Sequence, residues 1–139
     1  MALTFSTGLR NAILDSGLGT QFDSGVLEIR SGTRPTGAND APTGTVLASI
    51  SLPADAFAAA ASGSIAKSGT WQDTSADASG TATWFRFRTT GDGGGVSTTD
   101  KRFDGDIATS GSDLNIDNTS INSGQTVTVT SYSVAMPAS

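Results

Sequence analysis

A Ser-x-x-Lys motif, Ser64 and Lys67, is the first group in this sequence whose residue types and spacing could do chemistry. On a helix, this spacing places a nucleophilic serine beside a lysine base, as in the β-lactamases. Those enzymes also require a Ser-Asp-Asn and a Lys-Thr-Gly element, and the sequence contains neither. We therefore interpret the motif as part of a solvated strand or turn.

A group of aspartates near the middle of the second half could bind a cation. Clustered carboxylates hold Ca²⁺ through about six to eight oxygens when backbone carbonyls complete the set. The spacing fits no EF-hand loop, and turns favour Asp in any case. We therefore predict ordinary turn chemistry, with no metal site and no cofactor, for Asp100, Asp104, Asp106, Asp113 and Asp117.

Other catalytic classes lack the residues that they need. The chain has no Cys and no His, which excludes Cys nucleophiles, thiolate and imidazole metal ligands and a His general base. A glycosidase needs two facing carboxylates, but Glu28 is the single Glu and the aspartates are scattered over predicted turns. The glycine-rich stretch 91–95 lacks the Lys-Ser/Thr of a phosphate-binding loop and is typical of a hairpin turn. The sequence therefore predicts that the protein is not an enzyme.

The charge and hydropathy patterns restrict the expected partners. With 13 acidic against 8 basic residues, the net charge is -5. A phosphate-binding surface needs a basic patch, so we expect no nucleic-acid partner. No apolar run approaches the roughly 18 residues that would span a bilayer, and the N-terminus lacks the pattern of a signal peptide. We expect no membrane association and a protein made in the cytoplasm.

One short helix is predicted, at the N-terminus. Residues 3–15 place Phe5, Leu9 and Ile13 at four-residue spacing, the stripe of an amphipathic helix. Ser or Thr side chains precede the stripe and can cap the helix, and glycines follow it and can end it. Elsewhere the abundance of Ser, Thr and Gly, which fill 56 of the 139 positions, disfavours helix interiors.

After Gly25 the apolar residues alternate with polar ones, which is typical of half-buried strands. Turn residues separate these runs every 8–12 positions, so the pattern predicts an all-β domain, residues 1–139, that folds as an antiparallel sandwich or barrel. The aliphatic and Phe content is low, and we expect a thin core that a partner surface supplements. The clearest strands are expected at 26–30, 46–52, 81–89, 102–109 and 125–136.

The best predicted strand carries a candidate interface. If Phe85 and Phe87 face the core, then Trp84, Arg86 and Arg88 line the outer face. Trp and Arg are enriched at interface hot spots because they bury large areas and make directed hydrogen bonds. Two alternatives are that Trp84 itself belongs to the core, and that the arginines satisfy nearby Asp carboxylates.

Two further surfaces remain candidates. The turn-rich loop 32–44 contains Arg34 and Pro35 and is expected to contact a partner. A sugar-binding face, with Trp71 or Trp84 as the stacking platform, is a different use of the same Ser- and Thr-rich surface.

Four stretches together cover most of the chain: LRNAILDSGLG, LEIRSGTRPTGANDAPTGTVLASISLP, DTSADASGTATWFRF and GSDLNIDNTSINSGQTVTVTSYSV. They resemble small proteins encoded among the structural genes of tailed bacteriophages, and in particular the capsid cement, or decoration, proteins. The resemblance implies a jelly-roll-like β-sandwich bound to the outside of the phage head. It implies no functional residues, since its motifs are not catalytic fingerprints.

The resulting expectation is a virion structural protein on the exterior of the capsid. It would bind the major capsid protein and staple neighbouring subunits together, as a homo-oligomer that is a dimer or a trimer. The expected contacts are the loop 32–44 with Arg34 and Pro35, the face of Trp84, Arg86 and Arg88, and one terminus. The alternative is a tail or head-fibre module that recognises a host glycan.

Overall fold

The structure, a computed structural model, describes residues 3–139. Two helices, α1 (Thr7–Ser16) and α2 (Leu18–Gln21), begin the chain. The described residues then form eleven strands: β1 (Val26–Arg30), β2 (Val46–Ser51), β3 (Ser64–Ala66), β4 (Trp71–Asp73), β5 (Gly80–Thr81), β6 (Trp84–Arg88), β7 (Arg102–Ala108), β8 (Leu114–Asn115), β9 (Ser120–Ile121), β10 (Val127–Val129) and β11 (Ser133–Ala135).

A curled five-stranded sheet in the order β2-β1-β6-β7-β8 is the largest element. The first four strands are antiparallel neighbours, whereas the short β8 runs parallel to β7. The remaining strands of the described chain form the antiparallel pairs β10–β4, β11–β3 and β5–β9. The prediction of a β-rich fold with a short N-terminal helix is confirmed; α2 adds one further helical turn.

Helix α1 begins after a serine cap and ends at a glycine, as the sequence predicts. The Ser6 hydroxyl accepts a hydrogen bond from the Leu9 amide at 3.2 Å, so it caps an otherwise unpaired N–H of the first turn. At the other end, the Gly17 amide donates to the Ile13 carbonyl at 2.9 Å. The helix is thus shifted slightly from the predicted 3–15.

In β1 and β6, alternate residues are apolar and lie on one face of the sheet. Leu27 pairs with Phe87 and Ile29 with Phe85 in the register of β1 and β6, and all four side chains are buried. The prediction that Phe85 and Phe87 face the core is therefore confirmed.

Phe87 is the centre of an aromatic core. Its ring stacks on Phe103 with centroids 4.4 Å apart. Five further rings lie between 5.5 and 6.3 Å from it, mostly in edge or tilted orientations that the ring quadrupoles favour: Phe22, Phe57, Trp71, Phe85 and Tyr132. Large rings therefore compensate for the small number of aliphatic residues.

Two connecting segments differ from a simple pattern of strands. The Ala-rich stretch after Pro53 is a loop, and it places Phe57 in the core. The long alternating run 125–136 is not one strand. It divides into β10 and β11, which pair with β4 and β3, because Tyr132 between them turns its ring toward Phe87.

Gly105 in β7 leaves the space that the Phe85 ring occupies. A Cβ atom at this position would lie 2.6 Å from Cζ of Phe85 and 3.0 Å from Cβ of Asp113. We predict that Gly105→Ala lowers the free energy of unfolding by about 1–3 kcal/mol, as overpacking of cores does. Urea denaturation followed by tryptophan fluorescence measures the change.

Gly95→Ala is the matched control, since a Cβ there meets nothing within 4 Å. We expect this control to change stability by less than about 0.5 kcal/mol. Phe85→Leu combined with Gly105→Ala should cost less than the two single changes together, because the smaller side chain vacates the space. Equal midpoints for Gly105→Ala and the wild type would show that the close packing of Phe85 on β7 is wrong.

Candidate functional site

The second face of the main sheet is a buried charged layer rather than an open surface. The sequence-based expectation that Trp84 and Arg86 line an outer face is wrong, because both side chains are 0% exposed. The loop between β1 and β2, residues 31–45, lies over them. The alternatives raised from the sequence hold in part. Trp84 is buried, but on the charged side of the sheet and outside the hydrophobic core cluster. Arg86 pairs with an aspartate, whereas Arg88 lies beside Glu28.

Arg86 is a fully buried member of this layer. Its Nε and Nη2 donate to the two carboxylate oxygens of Asp104 at 2.7 and 2.8 Å, and its Nη1 donates to the Asp40 carbonyl at 2.9 Å. The bidentate contact is the strongest geometry for an arginine and a carboxylate. Arg86 therefore connects β6, β7 and the covering loop.

Trp84 lies where the two ends of the covering loop come together. Its indole Nε1 donates to the Ser31 carbonyl at 3.1 Å, and the guanidinium carbons of Arg30 and Arg86 lie 5.6 and 5.7 Å from its ring centroid. At the other end of the loop, Gly44 has a φ of +71°, and a Cβ there would collide with the Ser31 carbonyl. Only glycine suits this close approach of the two ends.

The other candidate interface residues lie nearer to solvent. Arg88 keeps 26% of its side chain exposed while its Nε lies 3.4 Å from Glu28 Oε2. Arg34 reaches Asp106 at 2.9 Å in an exposed ion pair, and Pro35 beside it is half-buried. Arg34, Pro35 and Arg88 therefore remain available to a partner at the edge of the loop.

A second buried ion pair secures the loop between β6 and β7. Arg102 donates to both oxygens of Asp92, at 2.7 and 2.6 Å. Burial alone would raise the pKa of the Asp92 carboxyl, but the hydrogen bonds from Arg102 and the Gly94 amide, with the charges of Arg102 and Arg88, outweigh it and hold that pKa below its usual range. The glycine-rich stretch 91–95 is thus part of a longer anchored loop.

The residues first considered for chemistry have separate structural partners. Ser64 Oγ donates to the Val134 carbonyl at 3.2 Å, whereas Lys67 Nζ donates to the Gly69 carbonyl at 2.6 Å. Ser64 lies on β3, not on a helix, so the Ser-x-x-Lys spacing does not bring nucleophile and base together.

Trp71 and Trp84 are both fully buried, and neither can act as a stacking platform for a sugar.

The aspartates predicted to serve turns are spread over several contacts. Asp104 and Asp106 pair with arginines, and the Asp113 carboxylate accepts a hydrogen bond from the Asp106 amide at 2.9 Å. Among residues 3–139, no three His, Cys, Asp or Glu side chains converge as metal ligands would. In the same range, no helix is long and apolar enough to cross a membrane.

A groove of about 670 Å³ opens beside β7 and was not predicted from the sequence. Leu18 and Phe22 form one wall, the start of β7 forms the other, and Phe85 and Tyr132 lie at the bottom. Alternation along β7 could have placed Phe103 on the apolar face. The sequence gives no sign that α2 would leave Phe103 open to a groove.

Tyr132 supplies a polar group at the bottom of the groove. Burial raises the pKa of its phenol, and the negative charge of Asp113 raises it further. The hydroxyl therefore stays protonated at all ordinary pH values and can donate a hydrogen bond to a bound group.

Helix α1 presents its apolar stripe to solvent. The polar side chains of Arg10, Asn11 and Asp15 bond to the body, at the Met136 carbonyl and at the amides of residues 63 and 60. Leu9 and Ile13 are 48% and 42% exposed. Leu14, only 4% exposed, is the apolar residue of α1 that faces the core, so Leu9 and Ile13 lie on the outer side of the helix although an amphipathic stripe normally faces the core.

Replacing Arg86 tests the charged layer. Arg86→Met leaves the buried Asp104 carboxylate and the Asp40 carbonyl without their donor, and we expect it to cost about 3–5 kcal/mol of unfolding free energy. Arg34→Met is the matched control, since it breaks an exposed arginine–aspartate pair and should cost about 1 kcal/mol or less. Urea denaturation compares the two, and equal small losses would contradict the assignment of a buried layer.

The Asp92 pair predicts a loss of stability in acid. A folded-state pKa below the unfolded value of about 3.9 means that the pair stabilises the fold fully above that value and loses its effect as pH falls through the folded pKa. We therefore expect Asp92→Asn to be less stable than wild type by about 1.5–3 kcal/mol at neutral pH, with the difference shrinking toward pH 3. Urea midpoints measured across pH provide the test.

The exposed Asp55 supplies the control for this pH series. Asp55→Asn should differ little from wild type across the same range. A gap between Asp92→Asn and wild type that is independent of pH would show that the charge of Asp92 is not what stabilises the loop.

No protein-family model matches this chain, and no curated protein or solved structure shows significant similarity to it. The function is therefore inferred from the surfaces of the molecule itself.

Proposed function

We propose that the protein is a capsid decoration protein, which binds the major capsid protein on the outside of a tailed-phage head and staples neighbouring subunits together. The observation that carries this proposal is the outward-facing apolar stripe of α1. Leu9 and Ile13 lie in water, while Leu14 and the polar side chains of Asn11 and Asp15 face the body. Apolar surface that a fold orients outward is typical of a protein interface.

The segment before α1 is also apolar and exposed. Leu3, just before α1, is 78% exposed. The Phe5 amide donates to the Ala138 carbonyl at 2.7 Å, so the N-terminal segment is bound to the C-terminal one rather than free. A partner would therefore meet an apolar surface that is already ordered, and less entropy is lost on binding.

The rigid body behind this surface suits a stapling role. The sandwich-like, jelly-roll arrangement that we propose has the five-stranded sheet as one layer and the three strand pairs as the other. Arg34 and Pro35 in the covering loop and Arg88 at the end of β6 would offer further contacts to a capsid subunit. A homo-oligomer, dimer or trimer, would present several such surfaces at once, which raises avidity without new contacts.

The proposal is tested by co-sedimentation with undecorated heads of the parent phage. Wild-type protein should bind saturably at a fixed ratio to the major capsid protein. The double variant Leu9→Gln, Ile13→Gln removes burial worth about 3 kcal/mol, which corresponds to roughly a 100-fold weaker Kd. Its stability should not fall, because both side chains are exposed in the free protein.

Val96→Gln is the matched control. Val96 is the other large apolar residue that the described chain exposes, at 76%, and it lies in the β6–β7 loop away from α1. This control should bind heads like wild type. A double variant that still binds with wild-type affinity would refute the α1 surface, and wild-type protein that leaves heads bare but binds a glycan would refute the decoration role.

A further inference from the structure

The groove beside β7 lies along an unpaired edge of the main sheet. On the side away from β6, β7 is paired with β8 only at Ile107 and Ala108. Along the preceding segment, Arg102 to Asp106, no other described strand is paired with that side. About 13 Å of strand edge, residues 102–105, is therefore open at 3.3–3.4 Å per residue, because the Asp106 amide is taken by the Asp113 carboxylate.

Main-chain groups of this edge point into the groove. The Ile107 amide donates toward β6, to the Thr83 carbonyl, whereas the neighbouring Asp106 amide points the other way, to Asp113. Because main-chain groups alternate in direction along an antiparallel strand, those of Arg102 and Asp104 also point away from β6.

Arg102 and Asp104 border the groove although their side chains do not enter it. Those side chains lie on the charged face of the sheet and are only 2% and 4% exposed. What these residues offer to the groove is their amide and carbonyl groups.

The walls of the groove provide places for side chains of one alternating face. Phe103 and Phe22, with centroids 5.2 Å apart, form an aromatic corner, and Leu18 and Val134 extend it on either side. The Tyr132 hydroxyl lies at the bottom. An added strand would place every second side chain among these apolar groups and the others toward solvent.

The charges at the rim favour a basic occupant. Asp100 and Asp113 line the groove, and Lys101 is the one exposed cation beside them among its described lining residues. Asp100 lies 3.4 Å from Arg102 Nη2, so Asp113 is the carboxylate of this rim without an arginine partner among the described residues. The protein as a whole carries a net charge of -5. A segment with Lys or Arg next to its apolar residues is therefore complementary in charge.

We propose that this groove binds an extended segment of another polypeptide by strand addition to β7, a segment with apolar residues at alternate positions and a basic flank. The open row of amides and carbonyls matches a peptide main chain, which a glycan or a lipid tail does not offer. This inference goes beyond the decoration role and does not depend on it, because α1 and the groove are different surfaces.

A random heptapeptide library displayed on phage particles, selected on the isolated protein, tests the proposal. We expect enrichment of peptides with alternating apolar residues and a Lys or Arg. Synthetic versions should bind with a Kd in the micromolar range by fluorescence anisotropy. Methylating the peptide nitrogens that face β7 should weaken binding at least tenfold, whereas methylating those that face away should not.

A pair of variants on α2 locates the binding site. Gln21 lines the groove, and Gln21→Trp would fill it, so binding should weaken at least tenfold. Thr20→Trp places the same bulk on the neighbouring exposed residue, which does not line the groove, and should bind like wild type. Both positions are exposed, so both variants should keep the wild-type urea midpoint.

Three results would overturn the proposal: no enrichment, equal binding by Gln21→Trp, or insensitivity to methylation of the peptide nitrogens. A dimer of the free protein that Gln21→Trp dissociates would also overturn it, since a second copy would then occupy the edge. The assay uses no phage heads, so its failure is distinguishable from failure of the decoration role.

Discussion

The structure depends on the burial of one charged side chain, Arg86, in the middle of the central strand. A guanidinium removed from water costs several kcal/mol unless every donor is paired in good geometry. Asp104 on β7 and the Asp40 carbonyl in the covering loop supply the partners. Because Arg86 bonds to both partners, β7 and the covering loop are held against β6. This explains why a loop rich in Gly, Pro and Thr is ordered over the sheet.

Once the loop covers the charged face, the central strands β1 and β6 are buried on both sides, and the two sides stabilise the protein differently. On one side, the rings around Phe87 supply area and van der Waals contact. On the other, the ion pairs of Arg86 and Arg102 supply directed bonds that select one arrangement of the loops. Neither side of β6 is left for a partner, so recognition falls to the periphery: the outer stripe of α1, the loop edge at Arg34, and the open edge of β7.

Alternation in the sequence was sufficient to locate the strands 26–30, 46–51, 84–88 and 102–108, because burying one face imposes a period of two. It could not show that neither face of β6 meets solvent. Both faces carry aromatic residues, and the partners of Arg86 lie 18 and 46 residues away. The helix shows the same limit: its periodicity was readable, but its orientation depends on Asn11 and Asp15 bonding to amides about 50 residues along the chain. The pattern in one sequence shows local periodicity, whereas the burial of a given face of β6 or α1 depends on contacts between distant segments.

Phe103 connects the core to the groove, and this position bears on how the groove would work. Its ring stacks on Phe87 at 4.4 Å, yet it also forms part of the groove wall. The same strand is held from its other face by Arg102 and Asp104, whose ion pairs fix the main chain that borders the groove. Both the aromatic wall and the open amides are therefore positioned before any ligand arrives. A bound strand would pay for its own ordering but little for that of the protein, and affinity rises when ordering costs fall in this way.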